Sequence, residues 1–97
     1  MKKLLLVLIY TCSSLAQVEL EDKIGQMILV GFRGSKITNN HQIVKDIEKY
    51  KIGSVILFDY DVKKKSKKRN IISKKQVRSL TTDLQSHSKV PLLITVD

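Results

Sequence analysis

Three charged side chains stand where chemistry could be done: Arg33, Asp59 and Asp97, each at or just past the end of an apolar run. The runs are Ile28-Leu29-Val30-Gly31-Phe32, Ser54-Val55-Ile56-Leu57-Phe58 and Leu92-Leu93-Ile94-Thr95-Val96. A carboxylate that follows such a run can accept hydrogen bonds from a ligand at the strand's carboxyl end, where α/β barrels assemble their sites. Asp97 is the sharpest of the three, because Pro91 to Val96 leads straight into it. The same position equally suits an N-cap for a following helix, and residue type alone leaves both roles open. Arg33 could bind a carboxylate, although a surface role is the plainer reading. Asp59 and Asp61 suit the start of a turn, or a counter-charge to the lysines after them.

Other catalytic arrangements are missing from the sequence. No serine sits in a nucleophile elbow, no cysteine is paired with a histidine, and no HExxH run occurs. Cys12 is the one cysteine, so no internal disulfide can form, and no Cys/His set has zinc spacing. His41 and His87 stand among polar residues and read as surface side chains. Gly31-Phe32-Arg33-Gly34 lacks both the GxGxxG and the Walker spacing, which removes support for a dinucleotide fold. Glu21-Asp22 lies on a solvent-facing helix start, and no two carboxylates are arranged to flank a bond to be hydrolysed.

The formal net charge is +9, and much of it comes from Lys63-Lys64-Lys65-Ser66-Lys67-Lys68-Arg69. A run of this kind attracts phosphates or acidic polymers, or is simply a solvated loop. It contains no interleaved aromatic residue to stack bases and no helical period.

The elements that must position these residues alternate. Val18 to Met27 reads as a helix with Leu20, Ile24, Met27 and Ile28 on one apolar face and Glu19, Glu21 and Asp22 at its positive end. His41 to Tyr50 reads as a second helix, capped by Asn39 or Asn40, with Ile43, Val44, Ile47 and Tyr50 as its buried stripe. Gly53 breaks that pattern. The following strand, Ser54 to Phe58, is apolar without alternation, as expected of a parallel strand buried on both faces. Asp59 to Ile72 is a long polar loop. Ser73 and Gln76 then form a capping box before a helix with Val77, Leu80, Thr81 and Leu84 inward, ending near His87. The order is α-β-α-β-α-β, which points to a parallel sheet with right-handed crossovers. Three strands are too few for a closed barrel, which takes eight strands and roughly 250 residues.

The first residues have the pattern of an export signal. Lys2 and Lys3 precede a short apolar stretch, Leu4 to Tyr10, and Ser14-Leu15-Ala16 supplies small residues for cleavage after Ala16. The stretch is too short to span a bilayer. Lipidation of Cys12 fits less well, because Ile9-Tyr10-Thr11 lacks the small residues expected before it. The expected organisation is a signal peptide at 1–16 and one partial domain at 17–97, exported to a periplasmic or extracellular location. Export also argues against a nucleic-acid partner.

Glu21-Asp22-Lys23-Ile24-Gly25-Gln26-Met27, followed by Val30-Gly31-Phe32-Arg33-Gly34, resembles the opening of glycoside hydrolase family 3. Ile52 to Phe58 is similar to that family's second strand. Arg69-Asn70-Ile71 with Gln76-Val77 is similar to the start of its next helix. Pro91 to Asp97 is similar to its third strand, which in the family runs on into a Gln-Glu-Gly-Gly turn. The closest branch in this respect is the bacterial β-N-acetylglucosaminidases.

The resemblance implies the N-terminal part, about three βα units, of a (β/α)8 TIM-type barrel that removes terminal β-linked amino sugars with retention. It implies a carbohydrate substrate and no metal or organic cofactor. Asp97 is implied to bind hydroxyls of the terminal sugar. The nucleophilic Asp and the His acid/base come from later segments in that family, so the 97-residue chain is expected to be inactive by itself. The competing reading is a small secreted basic module that binds an anionic polymer through Lys63 to Arg69. It is disfavoured because three parallel strands under one helix layer would leave an apolar face bare.

Overall fold

The computed structural model describes residues 20–97. The expected export signal at 1–16, and the helix positions Val18 and Glu19, lie outside the described residues. Residues 20–26 are helical (α1), followed by β1 at Leu29–Gly31, α2 at Gln42–Tyr50, β2 at Ser54–Leu57, α3 at Lys74–Ser86 and β3 at Leu93–Val96. The three strands form one parallel sheet in the order β1-β2-β3, with Val30, Val55 and Ile94 aligned across it. The α/β alternation expected from the sequence is therefore present. Among the described residues no helix is long and apolar enough to cross a membrane.

Side chains alternate along a strand, so Val55 and Leu57 share one face with Val30 and Ile94. Both are fully buried, in a cluster with Ile43, Val44 and Ile47 of α2 and Leu80 and Leu84 of α3. Phe32, Ile52 and Leu92 complete this core. The opposite face carries Leu29, Ile56 and Leu93, of which Leu29 and Leu93 are exposed. Burial of β2 on both faces was expected, and only one is closed: Ser54 and Ile56 remain partly accessible. A single helix layer covers the sheet among the described residues, as the reading against a self-contained module anticipated.

One helix face needs a correction. Tyr50 was expected inside the α2 stripe and is exposed, at the helix's last turn. The stripe Leu20, Ile24, Met27 and Ile28 is also exposed, Met27 by 86%. α1 docks instead through its Gly25 and Gln26 edge. Gln26 donates from Nε2 to the Lys51 carbonyl at 2.7 Å, and Lys51 pairs with Asp22 at 3.0 Å.

The α2 cap is also shifted. The helix begins after His41, whose Nδ1 accepts from the Ile43 amide at 3.2 Å, whereas Asn39 and Asn40 sit exposed in the preceding turn. The Ser73 cap of α3 is as expected: its hydroxyl accepts from the Gln76 amide at 3.1 Å. The Gln76 side chain reaches back to the Ile72 amide at 2.9 Å.

Gly25 and Gly53 are required by close backbone approach. A Cβ on Gly25 would lie 2.2 Å from the Tyr50 carbonyl oxygen, and one on Gly53 would lie 2.1 Å from the Gln26 carbonyl oxygen. The Gly53 amide donates to the Gly25 carbonyl at 3.1 Å, so the end of α1 rests directly on the start of β2. Backbone cannot yield there as a side chain can. Gly53→Ala should therefore cost about 2 kcal/mol or more of stability. Gly31→Ala meets side chains alone, nearest the edge of the Phe58 ring at 3.1 Å, and should cost about 1 kcal/mol or less. Urea unfolding of the two variants checks this, and equal midpoints would remove the backbone argument.

Candidate functional site at the carboxyl ends of the strands

At the ends of β1 and β2 the chain is tied by one side chain. Asn70 is fully buried. Its amide nitrogen donates to the carbonyls of Phe32 at 3.2 Å and Gly34 at 2.9 Å. Its side-chain oxygen accepts from the Phe58 amide at 2.9 Å, and its backbone amide returns a bond to the Phe58 carbonyl at 2.9 Å. Both amide hydrogens and the oxygen are thus used, which is the condition for burying such a group without penalty. No buried side-chain polar atom among the described residues lacks a partner.

Arg69 reinforces the same tie. Its Nε donates to the Phe32 carbonyl at 3.0 Å, and its guanidinium lies over the Phe58 ring at 4.4 Å from the centroid. Gly31 leaves the room that the Phe58 ring occupies. The carbonyl of Arg33 is held from the other side by His41 Nε2 at 2.8 Å. His41 Nδ1 accepts at the α2 cap, so one imidazole ties the start of the helix to the end of the first strand. His41 is therefore half-buried and structural rather than a free surface group. His87 belongs to the other end of the sheet, where its Nδ1 meets Glu48 at 2.8 Å beside a cleft of about 300 Å³ that Asp22, Lys51 and Val90 help line.

The candidate residues separate into two groups. Asp61 is 2% exposed and closes a turn: its Oδ1 accepts from the amides of Lys63 at 3.0 Å and Lys64 at 3.1 Å. Its Oδ2 lies 3.6 Å from Nε of Arg33. The Lys64 amide, then the Arg33 charge and the Lys63 amide, hold the Asp61 carboxyl below its ordinary value, against the opposing effect of burial. Arg33 and Asp61 are thus brought together as an ion pair at the loop base. Asp59 is exposed, and its side chain has no partner among the described residues.

Asp97 stands apart. Its amide donates to the Leu57 carbonyl at 3.0 Å, which extends the ladder one residue past β3. It follows Thr95 by two residues and so lies on the helix-free face of the sheet. Its carboxylate is exposed and has no hydrogen-bond partner among the described residues. The structure thus sets an unengaged carboxylate at the carboxyl end of β3, one strand spacing, roughly 5 Å, from Phe58.

Parallel strands, helices on one face and a carboxylate at the carboxyl edge define an α/β chain of the kind that builds sites at strand ends. The N-terminal domain model of glycosyl hydrolase family 3 matches residues 19–97, and the chain belongs to that family. Among solved structures it is similar to a family 3 β-N-acetylglucosaminidase from Paenibacillus sp. str. FPU-7. The identity is 30% and the TM-score 0.65, over 80% of this chain and 14% of that one. It is also similar to a fungal multi-domain family 3 β-N-acetylglucosaminidase with a glucosamine N-acetyltransferase region. Here the identity is 38% and the TM-score 0.62, over 79% of this chain and 8% of that one. The chain therefore spans a small part of the length of either protein. No curated protein matches it.

Asn70→Asp would aim an acceptor at the carbonyls of Phe32 and Gly34 in place of two hydrogens. A loss of about 2–4 kcal/mol is expected, read from urea unfolding. Asp59→Asn should leave the midpoint unchanged. An Asn70→Asp protein as stable as the parent would show that the tie is dispensable.

Proposed function

We propose that this chain supplies the first βα units of a (β/α)8 glycosidase that removes terminal β-linked N-acetylglucosaminyl residues. Asp97 accepts hydrogen bonds from hydroxyls of the terminal sugar. The reading is carried by the position of Asp97, on the helix-free face at the carboxyl end of β3, with its amide bonded to the Leu57 carbonyl. That is where a barrel of this class binds its substrate. The exposed Leu29 and Leu93 lie on the face that the inside of such a barrel would occupy, which also favours this reading over a self-contained basic module.

The chemistry is divided between this chain and later segments. The nucleophile and the acid/base belong to strands and loops beyond residue 97, so residues 1–97 alone bind at most one side of the sugar and do not turn over. The reaction needs no metal or organic cofactor. Residues 1–16 act as an export signal, which would bring the enzyme to extracytoplasmic glycans.

A carboxylate that bonds sugar hydroxyls contributes roughly 1.5–3 kcal/mol per charge-assisted hydrogen bond. In the full-length enzyme, Asp97→Ala should lower kcat/KM on an aryl β-N-acetylglucosaminide by about 100-fold or more. Asp59→Asn should change it by no more than about twofold. Unchanged kcat/KM in Asp97→Ala would exclude this role for Asp97.

A further inference from the structure

The loop after β2 is not the featureless connection its composition suggests. Asp61 and Ser66 face each other in an antiparallel bridge, with Asp61 N donating to Ser66 O at 2.7 Å and Ser66 N to Asp61 O at 3.2 Å. The four residues between them form a tight tip in which Lys65 takes a left-handed φ of 49°. The base is fixed by the inward-turned Asp61 carboxylate, by Arg33 and by the Asn70 tie. Such a base holds the tip in one place, whereas a merely solvated linker needs no buried carboxylate at its root.

The charges on this loop divide cleanly. Asp61 is consumed at the base, and Arg69 is turned onto the Phe58 ring and the Phe32 carbonyl. Lys63, Lys64, Lys65, Lys67 and Lys68 are all exposed, and none of their ammonium groups makes a hydrogen bond or close ion pair among the described residues, Lys64 only adding to the positive field at the Asp61 carboxyl. Five exposed positive charges on a pinned loop form a surface suited to a multiply charged anion. The loop springs from β2, the strand that hydrogen-bonds to β3 as far as Asp97.

We infer that the loop from Asp61 to Lys68 is a docking surface for the anionic part of a glycan whose terminal sugar sits at Asp97. This rests on the sugar-binding role proposed for Asp97 and deepens it, since it makes the preferred substrate an acidic glycan. Nucleic acid is the weaker partner, because residues 61–68 carry no aromatic side chain on which a base could stack.

The test uses the full-length protein and three probes: N-acetylchitotetraose, its carboxymethylated form, and a single-stranded oligonucleotide of equal charge. The carboxymethylated glycan should bind about tenfold tighter than the neutral one at low salt, as several exposed ion pairs each worth a few-fold imply. The advantage should fade as salt rises. Changing all five lysines to Gln should abolish it, and changing them to Arg should keep it. Because these side chains are exposed and make no hydrogen bond among the described residues, both variants should retain the parent's unfolding midpoint. Equal affinity of the parent for the two glycans, an advantage that survives in the Gln variant, or tighter binding of the oligonucleotide than of the acidic glycan would overturn the inference. Binding of the acidic glycan without measurable binding of the neutral one would leave the loop's role standing and count against the Asp97 subsite.

Discussion

A parallel strand leaves its last carbonyl without a partner unless the following loop supplies one, and two such strands end side by side here. Asn70 answers both at once. Its amide hydrogens reach the carbonyls of Phe32 and Gly34 after β1, while its side-chain oxygen and backbone amide pair with Phe58 after β2. Since Asn70 is wholly buried, losing a partner would strand a polar group away from water. The position of Arg69 over Phe58, the root of the basic loop and the alignment of the strand ends all follow from this one side chain.

The opposite end of the sheet is set by a different constraint. There the backbone of α1 touches the turn after α2 and the start of β2, and Gly25 and Gly53 are the residues that allow it. Hydrogen bonds from Gln26 to Lys51 and from Gly53 to Gly25 fix the contact. With the amino ends set by glycine contacts and the carboxyl ends by an asparagine, the short strands meet in one register. That register places Asp97 beside Phe58.

Much of this was legible in the sequence. The three apolar runs became β1, β2 and β3, and the stripes Ile43-Val44-Ile47 and Leu80-Leu84 became the core, because local periodicity reports burial directly. The Ser73 cap was legible for the same reason, its partner being three residues away. What was hidden depends on distant partners. Asn70 bonds to a carbonyl 38 residues earlier, and no local pattern marks it, even though Arg69-Asn70 formed part of the family resemblance. The choice of His41 over Asn39 or Asn40 as a cap accompanies its second bond to the Arg33 carbonyl. The stripe of α1 was legible as an apolar face, whereas its exposure was not, because spacing identifies a face without identifying its cover. Asp97 was legible as a position, and its surroundings on the helix-free face emerged only with the sheet.

These features together support the role proposed for Asp97, in which the tied carboxyl edge of the sheet presents its carboxylate to the terminal sugar of a glycan. The most direct measurement is a crystal structure of the full-length protein with N-acetylglucosamine bound. An Asp97 carboxylate oxygen is expected about 2.5–3.0 Å from a sugar hydroxyl, on the helix-free side of the sheet. A sugar bound elsewhere, with Asp97 instead capping the helix that follows it, would contradict the account.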